Sequence, residues 1–165
     1  MKESENRDVA GINIRLARAS DAPALAQLRY AFRSSAGAVS EDESEFIARC
    51  RLWMEERLRD GFAWRCWVAE REHELVGNIW AQLIEKIPNP SPEPEYHAYI
   101  TNFYVRESER ARGTGKLLLS SALGWCRESG AHAVILWPTE RSRTLYLRQG
   151  FAVRDDLLEL IIREK

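Results

Sequence analysis

Hydrophobic positions change period several times along this chain, and each change marks an element. After about ten polar residues that read as a disordered tail, Ile12, Ile14 and Leu16 alternate with polar neighbours and predict a half-buried strand. Ser20 then reads as a helix N-cap, with Leu25, Leu28 and Phe32 at helical spacing and an end before the small, flexible run SSAGAVS. A second helix is expected from Ser40, where Glu43 completes a capping box and Phe46, Ile47, Cys50, Met54 and Leu58 form the apolar stripe.

The period of two returns at Trp64, Cys66 and Val68, a polar REHE turn follows, and LVGNIWAQLI resumes as a longer strand, so a hairpin is expected. IPNPSPEPE holds four of the six prolines and reads as a stiff, exposed connection, because proline cannot donate to a ladder. Beyond it the pattern gives a strand over Ala98 to Val105 and a helix over Lys116 to Ser129 closed by Gly130. Ala133 to Trp137 is a continuous apolar run suited to a strand buried on both faces. A short helix ends at Gly150, and Phe151 to Val153 and Leu157 to Ile162 look like a closing pair of strands. The order β-α-α-β-β-β-α-β-α-β-β predicts a mixed α/β domain, one sheet with helices on both faces, and 165 residues fit a single domain without a repeat.

Composition narrows the function classes. A net charge of -1 gives no global basic field to gather nucleic acid. Cys50, Cys66 and Cys126 lie far apart, with neither CxxC spacing nor a histidine cluster, and read as reduced core thiols; no metal site is expected. The start, MKESENRDVAG, lacks an apolar stretch, and no run approaches the roughly 20 apolar residues of a membrane span, so a cytoplasmic location is the default expectation.

The chemistry concentrates in AYITNFYVRESERARGTGKLLLSSALGWC, where a strand runs through a charged turn and a Gly-x-Gly loop into an amphipathic helix. A helix N-terminus leaves backbone N–H groups unpartnered and carries about half a positive charge, which makes it an anion site. Gly113 and Gly115 remove side chains where a phosphate must approach, while Arg110, Arg112 and Lys116 add charge nearby; a pyrophosphate is the expected ligand. The spacing rules out a P-loop, and Leu118 breaks a GxGxxG fingerprint. The pattern [RQ]-x-x-G-x-[GA] is met by Arg110, Gly113 and Gly115, with Val105 ending the strand upstream. Further on, TERSRTLYLRQGF carries LY-x-x-x-GF, with Tyr146, Gly150 and Phe151.

With both motifs in order, the chain resembles the GNAT superfamily of N-acetyltransferases, strongly from about Tyr99 to Phe151 and in element order elsewhere. The resemblance implies a mixed, largely antiparallel central sheet with helices on both faces, and acetyl-CoA as acyl donor with no metal. It implies that the strand ending at Val105 splays from its next neighbour, that Phe103, Tyr104 and Val105 pair with the pantetheine arm, and that the amides of Ala111, Arg112, Gly113, Thr114, Gly115 and Lys116 hold the pyrophosphate. Tyr146 matches the residue that protonates the leaving thiolate, although a short helix can also bury a tyrosine for packing alone. The reaction implied is direct attack of a neutral amine of a small molecule or protein on the thioester.

Two departures stand out. The strand carries Tyr99, Ile100 and Thr101 where some branches hold a carboxylate base, leaving a water chain, His97 or Glu95 in that role. Thr139 stands where many relatives carry an Asn toward the cofactor, and either keeps a polar contact or caps the helix. The acidic residues Glu41, Asp42, Glu43 and Glu45, with Glu93 and Glu95, would attract a cationic amine, or simply complement a helix start. Trp80, Trp125 and Trp137 are expected to be buried in strands or helices. The missing carboxylate keeps a second class open, a catalytically silent acyl-CoA-binding or regulatory domain. Homodimers are an expectation carried by the resemblance alone.

Overall fold

The computed structural model describes residues 11–37, 39–61, 63–90, 92 and 96–163. The expected N-terminal tail, Glu93 and Glu95 lie outside them. Strands β1 (Asn13–Leu16), β2 (Trp64–Arg71), β3 (Glu74–Glu85), β4 (Tyr96–Val105) and β5 (Ala131–Ile135) form one sheet in that order. Helices α1 (Ala22–Ser35) and α2 (Glu43–Asp60) precede β2, α3 (Thr114–Glu128) links β4 to β5, and α4 (Glu140–Arg148) follows β5. Among the described strands the first three pairs are antiparallel and β4–β5 is parallel, its crossover made by α3.

Each face of the sheet buries its own apolar set. Leu25, Ala26 and Leu28 of α1 and Met54 of α2 close over Val68, Leu75 and Trp80 on one side. On the other, Leu118, Leu119, Ala122 and Cys126 of α3 and Tyr146 of α4 close over Ile79, Ala81, Ala98 and Ile100. Along β2 the side chains divide by parity, as the pleat requires, Trp67 and Ala69 facing α3 and Cys66 and Val68 facing α1 and α2.

Several boundaries depart from the sequence pattern. Ser20 does not cap a helix: it lies in a 3-10 turn, Ala19–Asp21, and the Asp21 carboxylate is taken by the Arg18 amide (2.7 Å) and the Arg15 guanidinium (2.8 Å). The cap of α2 is Asp42, not Ser40, because its carboxylate accepts from two amides, Ser44 at 2.9 Å and Glu45 at 3.2 Å. The run Ala133 to Trp137 is not a doubly buried strand. The strand is Ala131–Ile135, it pairs on one side only among the described residues, and Trp137 is 56% exposed. No strands form from Phe151 to Ile162 among the described residues, and Leu158 and Ile162 stand in solvent. An alternating pattern needs a partner edge, and this segment instead turns at Arg154 and Asp156, whose side chains pair with each other at 2.9 Å.

Gly77 on β3 lies where the sheet, the end of β4 and α3 meet. A Cβ there would stand 3.0 Å from the Tyr104 carbonyl, 3.2 Å from Val105 and 3.3 Å from Leu118. Gly77→Ala is expected to lower stability by about 1–3 kcal/mol through overpacking, measured by urea unfolding; an unchanged midpoint would show that β4 and α3 yield freely.

Candidate functional site

The site begins with a break in the ladder. On its β3 side, β4 pairs in step from Tyr96 to Thr101 and again at Tyr104, but Thr101 and Tyr104 face Trp80 and Asn78, so β4 carries one extra residue between them. This β-bulge contains Asn102, which adopts φ +48°, a left-handed conformation that asparagine tolerates better than most residues. On its other side β4 pairs with β5 only from Tyr96 to Tyr99. From Ile100 to Val105 its outer edge has no strand beside it among the described residues, and a cleft of about 690 Å³ opens there.

Beyond Val105 the chain passes a 3-10 turn, Glu107–Glu109, and reaches α3 through left-handed conformations at Ala111 (φ +60°) and Gly113 (φ +86°). Turns of this kind point successive amides the same way. Asp42 and Thr139 cap α2 and α4 with their side chains, whereas no side chain caps α3. Its first-turn N–H groups are left for a solvent or ligand acceptor, and the Thr114 hydroxyl is buried there without a partner among the described residues. Gly115 needs no special dihedral. Its missing side chain makes room for Phe103, whose ring tip lies 3.4 Å from where a Cβ would be, and for Leu145.

The residues singled out from sequence fall into three groups. Phe103, Tyr104, Val105, Arg110, Ala111, Gly115, Thr139 and Tyr146 all border the cleft. Arg112, Gly113 and Lys116 are exposed at the start of α3, and Thr114 is buried beneath them. Arg110 is not a free cation: its Nε donates to the Val105 carbonyl at 2.9 Å, an Nη donates to Glu107 at 3.0 Å, and the guanidinium covers the Tyr104 ring. Thr139 caps α4, its hydroxyl accepting from the Ser142 amide at 3.3 Å. Tyr146 is almost wholly buried against Phe103 and Phe151, and burial pushes its phenol up to about 12 despite a hydrogen bond with Ser142.

His97 does not border the cleft; it packs edge-on against His132. The cysteines are poor nucleophiles, because burial raises all three thiols, that of Cys126 to about 11. Glu41 pairs with Arg49 at 2.6 Å and Asp42 caps α2, and none of the acidic residues at this helix start borders the cleft. What sequence inspection missed is α1. Arg29, Phe32 and Arg33 line the cleft from that helix, and Trp137 lines it from beyond β5, its ring edge-on to Tyr99. The signal was present in the i, i+4 spacing of Arg29 and Arg33 beside Phe32 on a stripe that reads as apolar.

Residues 26–151 match the family model described as the acetyltransferase (GNAT) family. The chain belongs to that family. This GNAT chain is 30% identical to a GCN5-related N-acetyltransferase of Ralstonia eutropha, with TM-score 0.73, over 92% of this chain and 99% of that one. An acetyltransferase of Clostridium acetobutylicum solved with acetyl-CoA superposes with TM-score 0.79 at 21% identity, over 92% and 96%. Glucosamine-6-phosphate N-acetyltransferase of Arabidopsis thaliana gives 0.69 at 18%, over 92% and 99%. The last two share the fold. No curated protein matches by sequence. Among the described residues no helix is long and apolar enough to cross a membrane, and no group of three potential metal ligands occurs.

The hydrogen bonds separate Arg110 from Arg112. Replacing Arg110 with Met removes a charged donor from the Val105 carbonyl and is expected to destabilise the protein by about 1.5–3 kcal/mol, whereas Arg112→Met changes stability little; equal melting points for the two variants would contradict this assignment.

Proposed function

We propose that this GNAT chain transfers an acetyl group from acetyl-CoA to a primary amine of a small molecule or protein by direct attack. The observation that carries the proposal is the adjacency of an unpaired strand edge, Ile100 to Val105, and an uncapped helix N-terminus at α3. An extended amide-bearing arm suits the first and a pyrophosphate suits the second. The fit also draws on the left-handed turns at Ala111 and Gly113 and on the unpartnered Thr114 hydroxyl. In this proposal Phe103, Tyr104 and Val105 hold the arm, and the amides from Ala111 to Lys116 hold the phosphates.

The thioester supplies an activated acyl carbon. The amine nitrogen forms the new C–N bond as the C–S bond breaks, Tyr146 gives its proton to the departing sulfur, and the amine proton leaves to water. Burial keeps the Tyr146 phenol protonated well above neutral pH, so the donor is present throughout the working range, while the raised pKa makes it a weaker acid than a free phenol. No carboxylate borders the cleft among the described residues, but Arg29, Arg33, Arg110 and Arg141 do. Like charge disfavours an ammonium ion there, so the cleft favours the neutral, attacking form of the amine without a dedicated base.

Acetyl-CoA titrated calorimetrically into the protein is expected to bind at micromolar Kd, and Gly113→Glu, which sets a carboxylate at the uncapped helix end, is expected to weaken binding by at least about tenfold. Equal affinity in both proteins would remove the phosphate site from its proposed place, and no binding by the wild type would end the proposal. Tyr146→Phe is expected to lower kcat by about 100-fold with acetyl-CoA affinity kept; an unchanged kcat would remove the acid role. Wild-type turnover should show no tyrosine limb at pH 10, the ordinary pKa of that side chain, because the raised value lies above it. Binding without turnover across a broad amine panel would favour the silent acyl-CoA-binding alternative.

A further inference from the structure

A second pocket of about 480 Å³ adjoins the cleft on the α1–α2 side of the sheet and shares Arg29, Thr101 and Asn102 with it. Its floor and wall are indole. Trp53, Trp64 and Trp80 pack around one another with ring centroids 5.4–6.1 Å apart, and Phe46 and Met54 complete the apolar lining. Its polar lining consists mainly of hydrogen-bond donors. Arg29 and Arg49 supply guanidinium groups, and Thr101 and Asn102 add a hydroxyl and an amide. No carboxylate lines this pocket among the described residues.

Arg29 is the decisive residue. It is half-buried beside the β4 bulge, where its one side-chain hydrogen bond among the described residues goes to the neutral Asn102 side chain at 3.3 Å. It forms no ion pair among the described residues, and neither does Arg33 one helical turn away, which forms no side-chain hydrogen bond either. Burial first, and the Arg33 charge second, hold the Arg29 guanidinium below its ordinary pKa. The carboxylate of Glu41 borders a smaller cavity of about 290 Å³ with both arginines but is held by Arg49 at 2.6 Å. Two adjacent, partly desolvated cations with no ion pair of their own are unfavourable alone and favourable once an anion joins them. By contrast Arg49, which is more exposed, already has Glu41.

We infer that the acceptor is a small primary amine carrying an anionic group, carboxylate or phosphate type, on a flat apolar body. The anion lies between Arg29 and Arg33, the flat body lies in the tryptophan pocket, and the amine reaches the strand edge at Thr101 and Asn102, which both cavities share. Polycations such as polyamines and aminoglycosides are disfavoured, since the cleft and the tryptophan pocket are lined by arginines and, among the described residues, by no carboxylate. The inference rests on the acetyl-transfer reading for the direction in which the amine points, and its test is made on binding so that the two can fail separately.

Calorimetric titrations, run with and without saturating CoA, would compare phenylalanine, its α-aminophosphonate analogue, phenethylamine and spermidine. At least one of the two anionic probes is expected to bind about tenfold or more tightly than phenethylamine, and which one does so identifies the anion. Arg29→Met is expected to abolish that preference without weakening phenethylamine, whose ammonium group loses a repelling charge, and Arg29→Lys to restore part of it. Absence of a preference for either anion, spermidine as the tightest ligand, or a preference that survives Arg29→Met would each overturn the inference. Failure of acetyl-CoA to bind would instead count against the donor reading and leave the anion preference standing.

Discussion

One added residue in β4 governs the geometry of this protein. The bulge at Asn102 bends the strand after it has paired with β5 over only Tyr96 to Tyr99, so the two strands part and a row of backbone donors and acceptors is left facing a cleft. Buried or half-buried backbone groups require partners. Here the cleft keeps them available, and Arg110 fixes the end of the row by holding the Val105 carbonyl. The same displacement directs Phe103 toward Gly115 and Tyr146, and Tyr104 toward Phe32, so one irregularity ties both helical layers to the site.

Charge acts on top of that frame. The cleft and its neighbouring pocket hold arginines from α1, α2, α4 and the turn before α3, with no carboxylate among the described lining residues. Acidic side chains are plentiful in the chain, but near the site they are spent locally, Asp42 on a cap, Glu41 on Arg49 and Glu107 on Arg110. A positive cavity of this kind suits phosphates, suits an anionic acceptor and disfavours an ammonium ion, three properties that acetyl transfer to an acidic amine needs together.

Much of this was legible in the sequence because it depends on local rules. Alternation located β2 and β3, and the Gly-x-Gly turn and its amphipathic helix located α3, with Gly113 needed for a positive φ. Gly115 was legible as small but not for the right reason, since its role is to admit Phe103 from the preceding strand. Features set by distant partners were hidden. Arg29 and Arg33 read as ordinary helix charges until α1 is laid against β4, and the apolar run at Ala133 reads as central until β5 proves to be an edge. The final apolar segment failed for the same reason: its pattern specifies a strand, but no edge within the chain pairs with it among the described residues.

The account stands on the open edge of β4 receiving the acyl donor. Hydrogen exchange of the Ile100 to Val105 amides, followed by mass spectrometry with and without acetyl-CoA, tests this most directly. Slower exchange in that segment and in the first turn of α3, with β1 and β2 unchanged, is the predicted result. Exchange in Ile100 to Val105 that is unaltered at saturating acetyl-CoA would contradict it.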